Sequence, residues 1–219
     1  MNVRKFSVRA AIAILPVILL AHFSSASYAA EKCGVVEKLE GAVYAVRSGR
    51  EVELGVGSEV LAADVIRAKE TGYAEIRFVD DTLMAIGGGS EMAIDEIQFS
   101  AQRKSFKASI NRGAVWFATG SVGLANPAGV KFRTPRALVS SGNASIQFSV
   151  TGGTDSVSVH WLPKGGKVRV YNVRTKESVD LTTPDVTLNI GPTGAMEQGV
   201  IQPEDENEYI APETLSPPE

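Results

Sequence analysis

Hydrophobic and polar residues alternate with period two along most of this chain. That is the pattern of strands that bury one face and wet the other. In Tyr73–Phe78, Ala74, Ile76 and Phe78 fall on one side, with Glu75 and Arg77 on the other. Ser145–Val150 sets Ile146, Phe148 and Val150 against Gln147 and Ser149. Residues 156–161 set Val157, Val159 and Trp161 against Ser156, Ser158 and His160, which predicts a buried Trp161 and a surface His160. Residues 167–171 set Val168 and Val170 against Lys167 and Arg169. Turn signals divide the runs: Ser48-Gly49, Gly55 and Gly57, Thr71-Gly72, Gly87 to Gly89, Gly152-Gly153 and Gly165-Gly166. Residues 61–69 are not read as a helix, because Val65 and Ile66 are β-branched and Gly57 lies just upstream. No later segment carries a sustained helical stripe. The expected fold class is all-β, a jelly-roll-like antiparallel sandwich of short strands.

The two ends of the chain depart from this pattern. MNVRKFSVR is basic, AAIAILPVILLAHF is apolar and SSASYAA is a run of small residues, the three-part layout of a secretory signal peptide. Cleavage is expected after Ala29. The apolar run is short for a bilayer span, and Glu31-Lys32 ahead of Cys33 do not make a lipid-attachment motif. The expectation is a bacterial periplasmic or secreted protein with no membrane span after cleavage. Residues 30–200 then form one β domain, and residues 201–219 an acidic, proline-rich disordered tail.

Charge follows the same division. The last 17 residues hold six acids and no Lys or Arg, while the body between signal peptide and tail holds 19 basic and 19 acidic residues. That balance argues against a nucleic-acid partner, which needs a basic excess. Cys33 is the only cysteine, so no internal disulfide can form. It is either a tolerated free thiol or an intermolecular link.

Catalysis is hard to build from these residues. Of the two histidines, His22 leaves with the signal peptide and only His160 remains. Ser156 and Ser158 share its strand face, but neighbours two apart on a strand merely line a surface, so a triad and a jelly-roll hydrolase are disfavoured. One histidine and one cysteine do not make a zinc site. Calcium is a weak candidate at Asp80, Asp81, Glu91 and Asp95, with Glu96 beside them, although no calcium-loop motif is present. Gly87 to Gly89 lack the Gly-Lys-Ser/Thr sequel of a phosphate loop. Tyr44, Tyr73, Trp116, Phe117, Trp161 and Tyr171 raise a carbohydrate-stacking face against plain packing. No cofactor is expected.

Leu61-Ala62-Ala63-Asp64-Val65-Ile66, Ala74-Glu75-Ile76-Arg77-Phe78, Asp80-Asp81-Thr82-Leu83-Met84 and Ser90-Glu91-Met92-Ala93-Ile94, in that order, form a set of short motifs that resembles the FecR domain, named after a periplasmic ferric-citrate regulator. A strand around Gly113, the Thr134-Pro135 signature in VKFRTPRA and the closing GGKVRV run complete the set. The resemblance covers about residues 36–175 and is densest over 58–140. It marks Asp64, Phe78, Asp80, Thr82, Gly113, Thr134 and Pro135 as motif positions.

The chain departs from the family at three places. Asp81 stands where the family has a turn glycine. The stretch from Ser140 to Phe148 replaces an arginine-containing motif. The signal peptide replaces the family's cytoplasmic segment and membrane span, so the sigma-factor signalling mechanism is not carried over. The resemblance implies a jelly-roll-like fold and an exported, non-enzymatic module for protein binding, scaffolding or signal sensing. Its partner would be another periplasmic or envelope protein; a cell wall, peptidoglycan or exopolysaccharide ligand is the alternative.

Overall fold

The computed structural model describes residues 31–201. The expected signal peptide and His22 lie outside the described residues. So does the expected tail, apart from Ile201, which still donates its backbone N–H to the Asp185 carbonyl.

Seventeen strands and one short helix make up this region. The first eight strands are β1 (Lys32–Glu40), β2 (Val43–Arg47), β3 (Arg50–Glu53), β4 (Glu59–Leu61), β5 (Val65–Ala68), β6 (Tyr73–Phe78), β7 (Leu83–Ile86) and β8 (Glu91–Phe99). A 15-residue strand, β9 (Lys104–Ala118), leads to the helix α1 (Ser121–Ala125). Four hairpins come after it: β10 (Val130–Arg133) with β11 (Ala137–Ser141), β12 (Ser145–Val150) with β13 (Asp155–Trp161), β14 (Val168–Asn172) with β15 (Ser178–Leu181), and β16 (Val186–Ile190) with β17 (Met196–Val200).

The strands build two sheets. The first runs β4-β1-β6-β7-β9-β12-β13-β16-β17. The second runs β3-β2-β5-β8-β9-β10-β11-β14-β15. All pairings are antiparallel except β9 with β10. Strand β9 belongs to both sheets: its first half pairs β8 and β10, its second half β7 and β12. The antiparallel sandwich is as expected, with one strand far longer than the short ones the sequence suggests. The four hairpins after α1 alternate between the sheets, so each closes over the one before it.

The alternating apolar residues meet between the sheets. Phe78, Phe117 and Phe148 of the first sheet face Phe106 and Phe132 of the second, with ring centroids 4.6 to 6.1 Å apart. All five are at most 2% exposed. One continuous core surrounds them, from Cys33 on β1 to Ile190 on β16. The expected inward set on β13 is right for Val157 and Val159 but not for Trp161. A bulge shifts the register, so Val159 pairs Ile146 while Trp161 pairs Ser145. Ser145 stands opposite in phase to the buried Ile146, and Trp161 is only partly buried. His160, at this bulge, is also half-buried, and desolvation lowers its imidazole pKa to about 4.

Candidate binding face

The motif residues prove to hold turns and bends. The Asp64 carboxylate, 1% exposed, takes a fork from Arg47 (Nε–Oδ1 2.9 Å, Nη2–Oδ2 3.0 Å) and the Leu61 N–H at 2.8 Å. Asp80 is fully buried and accepts from the Thr82 hydroxyl at 2.8 Å and the Thr82 N–H at 3.2 Å. Thr82 Oγ1 in turn accepts the Gly120 N–H at 2.9 Å, tying the β6–β7 corner to the start of α1. Thr134 Oγ1 accepts the Ala137 N–H at 3.0 Å across the Pro135-Arg136 turn between β10 and β11. Phe78 sits in the core.

The four calcium candidates are not gathered into a site. Asp80 spends its carboxylate on the β6–β7 corner, and Asp81 is the left-handed residue of that corner, with φ 65°. Glu91 lies on β8, held by Arg67 at 3.0 Å and Asn111 at 3.0 Å. Burial would raise the Glu91 pKa, but those hydrogen bonds outweigh it and hold the carboxyl below its usual range. Asp95 accepts from Ser109 at 2.6 Å. Among the described residues no group of three or more His, Cys, Asp or Glu side chains is placed to hold a metal.

Aspartate at position 81 therefore occupies a conformation that favours glycine, as the departure from the family's D-G-T turn suggested. Asp81→Gly is expected to raise stability by about 0.5–1 kcal/mol by relieving the left-handed strain. Urea unfolding measures this. A fall in stability would instead assign the Asp81 carboxylate a role that the backbone does not explain.

Neither Ser156 nor Ser158 is held by His160. Their hydroxyls pair across to β16, Ser156 with Asn189 Oδ1 at 2.6 Å and Ser158 with Thr187 Oγ1 at 2.9 Å. Cys33 is free, 1% exposed and inside β1; burial first, then the nearby Asp64 carboxylate, pushes its thiol up to about 12. An intermolecular link through Cys33 would require β1 to open. The six aromatic residues divide among different places, and Tyr73 packs with Trp116, Leu83 and Ala85 in a small cluster apart from the main core. Phe117 is in the core and Trp116 is 2% exposed. Tyr44 on β2 and Tyr171 on β14 share the outer face of the second sheet, but four other strands and part of β9 lie between them.

That outer face has a feature of its own. A trough of about 510 Å³ crosses it, lined by residues of β8, β9, β10, β11 and β14. Alternation in β10 buries Val130 and Phe132 and sends Lys131 and Arg133 outward. Register then sets Lys131 beside Lys107 and Ser140, and Ser140 beside Arg169. Leu138, 39% exposed, and Tyr171 form the apolar part of the lining. A second concavity of about 250 Å³ meets the first at Lys107 and Lys131 and adds Arg103 and Lys104. Six cations and only two carboxylates, Asp95 and Glu96, line the pair.

Lys107 is paired with Glu96 at 2.7 Å, and Arg169 with Asp180 by two bonds at 2.6 and 2.8 Å. The Arg169 guanidinium holds the Asp180 carboxyl down at about 2, and Lys107 with Ser105 holds Glu96 below its usual range. Lys131 and Arg133 are exposed and make no ion pair among the described residues. An open trough with two unneutralised cations and an apolar flank suits an anionic segment carrying some apolar side chains. The charge balance of the body gave no hint of it. The available signal was local: VKFR and KVRV each alternate cations with core residues, which fixes both cations of each run on one face.

No family model and no curated protein matches this chain. Two solved structures share its fold, both crystal structures of candidate anti-sigma factors from Parabacteroides distasonis. One, at 2.50 Å resolution, aligns with TM-score 0.52 and 15% identity over 66% of this chain. The other, at 1.65 Å, aligns with TM-score 0.51 and 17% identity over 66% of this chain. In each case the chain spans 63% of the neighbour's length. At these identities the comparison establishes a shared β fold and nothing beyond it.

Proposed function

We propose that this chain is an exported, non-enzymatic, FecR-type binding module whose basic trough holds an acidic segment of another periplasmic or envelope protein. The observation that carries the reading is the pair Lys131 and Arg133, exposed and unneutralised at the centre of a cation-lined concavity. Two residues apart on one strand, they sit about 7 Å from each other. That spacing matches alternate carboxylates on an extended peptide. The ordered motifs and the fold shared with candidate anti-sigma factors support a module for protein binding, scaffolding or signal sensing.

Titration with poly-glutamate tests the proposal. Binding is expected at low salt, weakening as salt rises because the contacts are exposed. Lys131→Glu with Arg133→Glu is expected to weaken it about tenfold, each reversal replacing an attraction by a repulsion of similar size. Equal binding by the double variant would overturn the assignment of the trough. Binding of a uronate polymer or co-pelleting with peptidoglycan, with no binding of poly-glutamate, would replace the protein partner by a wall or exopolysaccharide ligand.

A further inference from the structure

We infer that the chain carries its own competitor for this trough: the acidic segment 202–219 docks there and masks Lys131 and Arg133 until a partner displaces it. The inference rests on the proposed anion-binding role of the trough. Three observations on the molecule carry it.

The first is charge. Residues 202–219 hold Glu204, Asp205, Glu206, Glu208, Glu213 and Glu219 with no Lys or Arg, whereas the body is balanced. The second is pattern. In an extended chain Glu204, Glu206, Glu208 and Ile210 fall on one side. Three carboxylates followed by an aliphatic side chain complement a face where Lys131 and Arg133 alternate along β10 and Leu138 lies exposed, beside Arg169 on β14 and Lys167 just before it, both of which are paired with Asp180.

The third is reach. Strands β17 and β15 are each four strands from β9 in their own sheets, so they close the same edge of the sandwich. The described chain ends one residue past β17, at this edge. The path round to β10 crosses the sandwich, about 10 Å, and three strand spacings of about 4.8 Å, or roughly 30 Å with side chains. Eighteen extended residues reach up to about 60 Å. A segment of this length is therefore long enough to bring Glu206 and Glu208 to β14 and Glu213 to Lys131 and Arg133.

Such a tail acts as a tethered competitor. Its effective concentration is on the order of millimolar, so it masks the site while yielding to a partner that binds better. Two measurements on the full chain test this. Carbodiimide coupling, which joins a lysine amine to a carboxylate in contact with it, is expected to link Lys131 or Lys107 to a glutamate of 206–219 within one molecule, and not in high salt. Replacing the six tail acids by their amides is expected to tighten poly-glutamate binding, on the order of 2- to 10-fold.

Links only between molecules would assign the tail to a second copy and overturn the intramolecular arrangement. Absence of any tail-to-trough link, with poly-glutamate affinity unchanged by the amide variant, would overturn the inference while leaving the trough's own role intact. Failure of the amide variant to bind poly-glutamate at all would remove the proposed function and the inference with it.

Discussion

Phe132→Ala is expected to destabilise the protein by about 3–5 kcal/mol, seen as a lower midpoint in urea with little change in slope. Phe132 is 1% exposed and lies between the sheets. Its ring centroid is 4.6 Å from Phe117, 5.0 Å from Phe148 and 6.1 Å from Phe106. Truncation removes the transfer free energy of the ring and leaves a hole that three neighbouring rings on two sheets cannot all collapse into. Each lost ring pair adds roughly 0.5–1.5 kcal/mol beyond buried area. Phe99, 45% exposed at the end of β8, supplies the control, since Phe99→Ala is expected to change stability by less than about 1 kcal/mol. A cost at Phe132 no larger than at Phe99 would mean that the two sheets do not share one core. Because Phe132 lies between Lys131 and Arg133 on β10, a surviving Phe132→Ala chain should also bind poly-glutamate more weakly.

The strands were legible because each packs one face on a single core, and that requirement writes period two into the sequence. Trp161 was misplaced for a reason alternation cannot show: one extra residue at a bulge reverses the phase of the residues beyond it. The helix α1 escaped because five residues, two of them Val122 and Gly123, are too few to display a 3.6-residue period. The length of β9 was only partly legible: the motifs place a strand around Gly113 but do not extend it back to Lys104, and Gly113 is a bend inside that one strand.

The site was less legible than the fold. Motif positions such as Asp64, Thr82 and Thr134 stand out in sequence because turns demand particular side-chain acceptors, and the structure puts them to that use. Arg136 and Asp155 form a partly buried pair at 2.6 Å, with Asp155 fully buried, yet 19 residues separate them and nothing in the Thr134-Pro135 signature beside Arg136 points to Asp155. The basic trough draws its cations from a hairpin and two further strands. Only the register of β9, β10, β11 and β14 makes them neighbours, and register is set by long-range pairing. An even overall charge therefore concealed an uneven face.

Gly113→Ala is expected to cost about 3–5 kcal/mol, an unusually large effect for adding one methyl group. Two independent costs combine. Gly113 has φ 79°, where an L side chain is strained by about 1–3 kcal/mol. An added Cβ would also collide with Ser90 Oγ and stand 2.6 Å from Ser90 Cα, so backbone must move, at about 1–3 kcal/mol for overpacking. Ser90 cannot simply swing away. Its hydroxyl accepts the Ala114 N–H at 2.8 Å and donates to the Ala114 carbonyl at 3.1 Å, which pins β9 where it passes from the second sheet to the first. Ser90→Ala in the Gly113→Ala background separates the two costs: removing the hydroxyl should recover part of the collision and none of the left-handed strain. The bend also sets where the first half of β9 holds Lys107 and Ser109 against β10. A Gly113→Ala chain that stays folded should therefore lose poly-glutamate affinity as well as stability. Wild-type stability in this variant would show that β9 does not turn between the sheets at Gly113.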